Sequence, residues 1–300
     1  MTSQPLSPSV VELKGDFEHE FVHTRGIRLH VVTAGKEDNP LIVLIHGSFG
    51  GWFEYRDVIA LLADAGFRVA AVDLRGFGMS DKPPAGRGQD IRTLTGDISG
   101  VIQALGYERA IVVGNDTGAA LAWSVAIDKP ERVNAVVSIS GCYPVDFRRG
   151  IAARPWDFLY LLMSSLWCRL PTRSMPQSWY KSDLFSNTSS TFRKEHSARY
   201  AEMLKLRIDA SQIGNVQRGA VSNHSILMSA VPLRWMDKRA KAPVLFLHSG
   251  QRHWTPLIRR AQARAASSFK EHSIAGTKNM PHLENPEGFV SALKNWLKAA

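Results

Sequence analysis

The segment Val112-Val113-Gly114-Asn115-Asp116-Thr117-Gly118-Ala119-Ala120-Leu121 decides the fold of this chain of 300 residues. An apolar run ends at Gly114, and a series of small residues begins at Gly118. The run predicts a buried strand, the small residues predict a closely packed helix, and the two glycines permit a sharp turn between them. The pattern therefore predicts a strand–turn–helix unit that holds the Asp116 side chain at the turn.

A carboxylate at such a turn indicates nucleophilic chemistry. Many enzymes carry a serine there and form acyl-enzymes. A carboxylate instead attacks an sp³ carbon, opening an epoxide or expelling a halide, and it leaves an alkyl ester on the enzyme. The alternative interpretation is an ordinary helix N-cap, because aspartate is common at that position. Asp116 is therefore a candidate nucleophile whose role depends on the rest of the chain.

The composition is that of an ordinary globular protein, with 44% apolar and 21% charged residues. The net charge is +10, but the basic residues are scattered and do not interleave with aromatic residues as a nucleic-acid groove requires. Cys142 and Cys168 are too few for a disulfide framework. No signal peptide is expected, and the longest apolar run, residues 158–163, is too short to span a membrane. We expect a cytoplasmic protein that acts on a small molecule, with no cofactor, metal, nucleic-acid or membrane partner; a homodimer is left open.

Strands and helices alternate along most of the chain. Predicted strands cover residues 17–24, 27–33, 41–45, 67–72, 110–113, 133–139, 244–248 and 270–274. Predicted helices cover residues 55–65, 90–105, 117–127, 256–266 and 286–298. The alternation predicts an α/β fold with a mostly parallel, doubly wound sheet. Residues 142–236 interrupt it with helical, aromatic-bearing segments, which predicts a helical cap inserted into a core of residues 1–141 and 237–300.

Four motifs of the chain are similar to those of the α/β-hydrolase fold, specifically its epoxide hydrolase and haloalkane dehalogenase group. In chain order they are His46-Gly47-Ser48-Phe49, Asp73-Leu74-Arg75-Gly76-Phe77-Gly78-Met79-Ser80-Asp81, the turn at Asp116, and Met280-Pro281-His282-Leu283-Glu284-Asn285-Pro286-Glu287. The resemblance implies that Asp116 is the nucleophile and that the backbone N–H groups of Ser48 and Thr117 form an oxyanion hole. It also implies that His282 is the base that activates water against the ester.

The acid that orients the base departs from the family pattern. In the family it usually follows the seventh strand, where this chain has His253, or else the sixth strand, where it has Ser140. Loss of such an acid costs about 10⁴-fold in serine proteases. His253 is the third catalytic candidate, because it could fix the His282 tautomer, although it could not stabilise a positive charge there. Asp146 and Asp237 are the candidate acidic replacements.

The lid departs from the pattern as well. Epoxide hydrolases open the ring with two lid tyrosines, and the resemblance places serines and a glutamine near those positions. Tyr160, Tyr180 and Tyr200 remain candidate proton donors, with lid packing as the alternative interpretation. The family usually has proline where this chain has Phe49. The candidate substrate contacts are Phe49, Trp156, Tyr160, Ser164, Ser165 and Gln217.

Three functions follow from these patterns. The resemblance implies a hydrolase that opens an epoxide through an Asp116 ester, and the aromatic lid favours a bulky apolar substrate such as a secondary metabolite. Dehalogenation is the first alternative, but dehalogenases usually follow the nucleophile with tryptophan or arginine, where this chain has Thr117. The missing acid and tyrosine pair suggest the second alternative, a repurposed member that binds or rearranges a ligand without completing hydrolysis.

Overall fold

A mostly parallel sheet lies at the centre of the computed structural model, which describes residues 4–84, 90–168, 174–252 and 254–299, with Tyr160 described for its backbone only. The strands are β1 (Glu18–Thr24), β2 (Ile27–Ala34), β3 (Leu41–Ile45), β4 (Arg68–Val72), β5 (Ala110–Asn115), β6 (Val133–Ile139), β7 (Val244–Leu247) and β8 (Phe269–His272). Their spatial order is β1-β2-β4-β3-β5-β6-β7-β8. β2 pairs antiparallel with both β1 and β4, and the remaining pairs are parallel. The predicted α/β sheet is confirmed.

Helices cover both faces of this sheet. They are α1 (Arg56–Asp64), α2 (Ile91–Ala104), α3 (Thr117–Asp128), α4 (Pro144–Ala153), α5 (Leu159–Trp167), α6 (Gln177–Asn187), α7 (Ser190–Glu195), α8 (Ser197–Ser211), α9 (Val216–His224), α10 (Trp254–Arg264), α11 (Pro281–Glu284) and α12 (Pro286–Leu297). α4 to α9 lie between β6 and β7, in the stretch where the sequence loses its alternation. The division into a core and a cap at residues 142–236 stays a prediction.

The central strands are apolar throughout because both faces of the sheet are covered. On β3, Val43 and Ile45 pack in one apolar cluster, whereas Ile42 and Leu44 pack in the cluster on the other face. Burying each such side chain contributes roughly 1.5–3 kcal/mol relative to exposure. Because β3, β5 and β6 are parallel, the loops that follow them lie at one edge of the sheet, where open α/β folds bind ligands.

No helix in the described ranges is long and apolar enough to cross a membrane. The cytoplasmic location stays a prediction.

Candidate active site

Asp116 occupies a strained turn between β5 and α3. Its φ of 52° and ψ of −117° lie in a region that residues with a side chain rarely adopt. The two flanking glycines make the turn feasible. A Cβ atom on Gly114 would lie 2.1 Å from the carbonyl oxygen of Gly118, and one on Gly118 would lie 2.2 Å from that of Ile45. The surrounding fold therefore holds the strain, which is a common property of functional positions.

Ser48 binds one oxygen of the Asp116 carboxylate. Its backbone N–H donates to Asp116 Oδ2 at 3.2 Å, and its hydroxyl donates to the same oxygen at 3.1 Å. Burial raises the pKa of the Asp116 carboxyl, while the N–H groups of Ser48 and Thr117 and the charge of Arg207 oppose that rise. The two predicted oxyanion-hole residues thus both lie at this carboxylate. Their roles, like that of Asp116, stay predictions.

A buried arginine lies beside this carboxylate, and the sequence analysis missed it. Arg207, on α8, is only 2% exposed. Its Nε donates to Glu54 Oε1 at 2.7 Å, and its Nη1 donates to Asp183 Oδ2 at 2.8 Å. Burial raises the pKa values of Glu54 and Asp183, and the Arg207 charge opposes both rises. Arg207 therefore lies between two carboxylates close to the candidate nucleophile, and it links α6 and α8 to the core.

Two sequence signals could have identified this cluster. Glu54 is a single charged residue between Phe53 and Tyr55, and Arg207 lies one turn from Met203 and Ala210 on the buried face of α8. A charged side chain on an otherwise apolar face requires a partner, because an unpaired buried charge is costly. Neither signal specifies which partner is used.

The cavity beside Asp116 is small and polar. Its volume is about 40 Å³, and the residues that line it are Gly47, Ser48, Phe49, Asn115, Asp116, Ser140, Asp183, Asn187, Arg207, Asn279 and Met280. Binding sites for small molecules are usually roughly 300–1,000 Å³ in volume. The cavity therefore has room for water, whereas an organic substrate requires a rearrangement.

A chain of amide groups follows one wall of this cavity. The Oδ1 of Asn279 accepts from the Ser140 hydroxyl and from the Trp254 indole N–H, both at 3.3 Å. The Asn279 amide donates to Asn187 at 2.9 Å, and the Asn187 amide donates to Asp183 at 2.8 Å. Ser140, at one of the two family positions of the acid, is thus bound to an amide. The other position, His253, lies outside the described residues.

His282, the predicted base, is fully buried without a hydrogen bond. Neither Nδ1 nor Nε2 has a partner in the described part of the chain. The ring stacks on Tyr55, with centroids 4.6 Å apart, and it contacts the edge of Phe289. Burial and the charges of Arg207 and Arg199 lower the pKa of His282 to about 3. The structure thus brings His282 near Arg207 but does not bond it to Asp116, and its role as the base stays a prediction.

The structure places neither of the two candidate acidic replacements at His282. Asp146 binds the Arg264 guanidinium through both carboxylate oxygens, at 2.8 Å each. Asp237 is exposed. Neither carboxylate is bonded to His282, so the structure supports neither of them as the orienting acid.

One of the candidate substrate contacts, Phe49, lines the cavity, and a second, Ser164, is linked to it through His224. The Phe49 ring contacts the rings of Tyr180 and His224, at centroid distances of 5.1 and 5.5 Å. Ser164 bonds to His224 Nε2 at 2.8 Å, and the buried hydroxyl of Ser165 has no hydrogen-bond partner within the described ranges. The hydroxyl of Tyr180 is also buried, and the Gln217 side chain is the polar group beside it. Phe49 therefore stands next to a set of lid polar groups.

Trp156 and Gln217 do not line the cavity. Trp156 is 62% exposed, and Gln217 binds the backbone, accepting from Met175 N–H at 2.8 Å and donating to Ser211 O at 2.9 Å. The Tyr160 side chain lies outside the described atoms. The structure therefore gives no support to a substrate contact by Trp156, and it assigns Gln217 a structural role beside Tyr180.

Comparisons with known proteins agree with this architecture. The family model of the alpha/beta hydrolase fold matches residues 40–163. The AB hydrolase superfamily protein YfhM of Bacillus subtilis is 37% identical over 193 residues, which cover 62% of this chain and 67% of that protein. Epoxide hydrolase B of Mycobacterium tuberculosis is 43% identical over 124 residues, but they cover only 41% of this chain and 35% of that enzyme. The solved structure of epoxide hydrolase A from Mycobacterium thermoresistibile superposes with a TM-score of 0.72 at 24% identity, covering 94% of this chain and 98% of that one.

The chain therefore belongs to the α/β-hydrolase superfamily. The matched segment spans only 35% of epoxide hydrolase B, so an epoxide hydrolase activity of this chain stays a proposal.

Proposed function

We propose that this protein opens an epoxide by attack of the Asp116 carboxylate on a ring carbon. The observation that carries the proposal is the strained position of Asp116, with the Ser48 N–H 3.2 Å from Oδ2. Because Ser48 holds Oδ2, Oδ1 is the oxygen left to attack. A C–O bond to Oδ1 forms, the ring C–O bond breaks, and its electron pair goes to the ring oxygen, which then takes up a proton.

Of the candidate donors whose side chains the structure describes, Tyr180 and Tyr200, the first is better placed to donate that proton. Its hydroxyl is buried beside the Gln217 side chain, and its ring packs on Phe49, which lines the cavity at Asp116. Burial raises the pKa of this hydroxyl, which keeps it protonated as a donor. Tyr200 is only partly buried. It packs against the apolar cluster that contains Ile42 and Leu44, on the opposite face of the sheet from the cluster that contains Tyr180. A substrate must displace the Phe49 ring, because the 40 Å³ cavity is too small for it.

Release of the product requires water to attack the Asp116 ester carbonyl. The N–H groups of Ser48 and Thr117 would then stabilise the oxyanion, and His282 would take the proton from water. His282 has no orienting partner among the described residues, and Arg207 and Arg199 disfavour its protonated form. We infer that hydrolysis is slower than alkylation, so the ester persists. A slow second step agrees in part with the second alternative function, a member of the fold that does not complete hydrolysis.

Epoxides are favoured over halides by the same arrangement. Thr117 offers no indole or guanidinium to hold a leaving halide, whereas an alkoxide needs only the proton that a tyrosine supplies. The curated relatives named epoxide hydrolases also support this choice. A bulky apolar substrate stays a prediction.

One single-turnover experiment tests the proposal. Excess enzyme is mixed with aryl and aliphatic epoxides in ¹⁸O-water, and the diol and the peptide containing Asp116 are analysed by mass spectrometry. We expect ¹⁶O in the first diol and ¹⁸O in Asp116 after hydrolysis, because the diol oxygen comes from the carboxylate. Asp116→Ala should give neither adduct nor diol, whereas the control Asp81→Ala, at a half-exposed surface ion pair, should behave as wild type. Diol labelled with ¹⁸O in the first turnover would refute the ester, and no reaction with any epoxide would refute the function.

A further inference from the structure

The short helix α5 is amphipathic with its apolar side outward. Met163 is 64% exposed, and Leu159 and Leu166, one turn before and after it, are exposed as well. Ser164 and Ser165, by contrast, are buried against the rest of the cap. No residue of Leu159–Trp167 is charged. A surface helix normally shows the opposite arrangement, and a helix that is apolar outward is normally covered.

Two tryptophans extend this apolar surface at its ends. Trp156 precedes the helix and is 62% exposed, and Trp167 closes it at 41% exposed. Together Trp156, Leu159, Met163, Leu166 and Trp167 form what we call the outer α5 face. Indole rings at both ends of an apolar stretch are typical of segments that lie in a membrane interface, where the rings reach the headgroup level.

Basic residues adjoin this face on the side of α4. Arg149 and Arg154 are exposed and Arg148 is half-buried. Arg154 lies 3.2 Å from Asp157, whereas Arg148 and Arg149 have no carboxylate partner in the described part of the chain. The Phe147 and Phe158 rings are in contact, which ties these arginines to the start of α5. The segment that leads into the outer α5 face therefore carries two arginines, Arg148 and Arg149, that no described carboxylate pairs with.

We propose that the outer α5 face binds an anionic lipid surface. Its apolar side chains would enter the acyl boundary, and the neighbouring arginines would pair with lipid phosphates. A second copy of the chain is a poorer occupant, because each copy carries a net charge of +10 and would bring the same arginines to the interface. The sequence analysis predicted no membrane partner, since it considered a spanning segment and had no means of placing the apolar side of α5 outward.

The proposal does not depend on the chemistry at Asp116. Vesicle co-sedimentation at low salt tests it, using phosphatidylcholine with and without phosphatidylglycerol. We expect binding to be at least about ten-fold tighter with the anionic lipid, because each arginine near such a surface adds attraction. Met163→Glu/Leu166→Glu should abolish this binding. Leu233→Glu should retain it, because Leu233 is 86% exposed outside the outer α5 face.

Two results would overturn the proposal. One is equal sedimentation of wild type and Met163→Glu/Leu166→Glu with anionic vesicles, or no sedimentation of either. The other is a dimer in analytical ultracentrifugation that Met163→Glu/Leu166→Glu dissociates and Leu233→Glu does not, since it would assign the face to a second copy.

Discussion

The surroundings of Asp116 and those of His282 differ in how their polar atoms are satisfied, although both residues lie at the same edge of the sheet. The Asp116 carboxylate receives two hydrogen bonds from Ser48. The His282 ring is fully buried, whereas Asp116 is partly exposed. Both ring nitrogens of His282 lack partners among the described residues, and the charges that act on the ring are those of Arg207 and Arg199. Both residues lie in motifs that match the family pattern. Asp116 has the hydrogen-bond donors that a nucleophilic carboxylate needs, whereas His282 lacks the orienting partner that a base needs. The first half of the reaction is therefore better supported than the second.

Arg207 joins the two regions, and its removal should have the largest effect. We expect Arg207→Met to lower the free energy of unfolding by about 3–5 kcal/mol, because Glu54 and Asp183 would stay buried without their cation. Urea unfolding measures this loss. Glu54→Gln in the same chain should restore part of it, since one of the two unpaired charges is then gone.

Arg56→Met is the matched control for this prediction. Arg56 binds Glu202 through two nitrogens at 2.7 and 3.0 Å, but Glu202 is half exposed. Exposed pairs contribute about 0–1 kcal/mol, so the control should cost far less than Arg207→Met. If the two variants lose the same free energy of unfolding, the buried ion cluster of Arg207, Glu54 and Asp183 stabilises the protein no more than an exposed ion pair does.

Tyr180→Phe tests the Asp116 side of the comparison. We expect the alkylation rate to fall by about 10²–10³-fold, the usual effect of losing one donor to developing negative charge. Rapid-quench mass spectrometry of the ester measures this rate. Tyr200→Phe should leave it unchanged, and a Tyr180→Phe variant that alkylates at the wild-type rate would remove Tyr180 from the reaction.

The pH dependence of stability tests the His282 side. The pKa of His282 is about 3 when folded and near 6.5 when unfolded, so the unfolded chain binds more protons between these values. Stability should consequently fall as the pH falls from 7.5 to 5. The lower end of this range, pH 5, lies 1.5 pH units below the unfolded pKa of 6.5, which corresponds to about 2 kcal/mol. Wild type should therefore lose about 2 kcal/mol more free energy of unfolding than His282→Gln.

His272→Gln, at an exposed position, is the control and should follow wild type. Chemical denaturation at the two pH values provides the measurement. If His282→Gln and wild type lose the same stability between them, His282 is not held neutral in the folded protein.

The sequence predicted the fold well because its signals are local. Double burial makes β3 a continuous apolar run, and the glycines around Asp116 are required by contacts within a few residues or with the adjacent strand. The buried ion cluster could not be predicted in the same way. Arg207 and Glu54 are 153 positions apart, and their pairing depends on how α8 packs over the loop after β3.

The lid shows the same limit. The sequence predicted helical segments across residues 142–236, but not that Ser164 would bind His224 while Gln217 binds backbone groups. Trp156 was a reasonable candidate for a substrate contact because aromatic residues line apolar sites. The structure instead leaves it exposed beside the outer α5 face.

The time course of the enzyme mass during the first turnover shows directly whether the Asp116 ester forms faster than it is hydrolysed. With an aryl epoxide in excess, we expect most of the enzyme to gain the mass of one substrate before appreciable diol forms, and Asp116→Ala to gain none. Steady formation of diol without a detectable adduct would show that the ester is hydrolysed at least as fast as it forms. That result would contradict a slow hydrolytic step at His282.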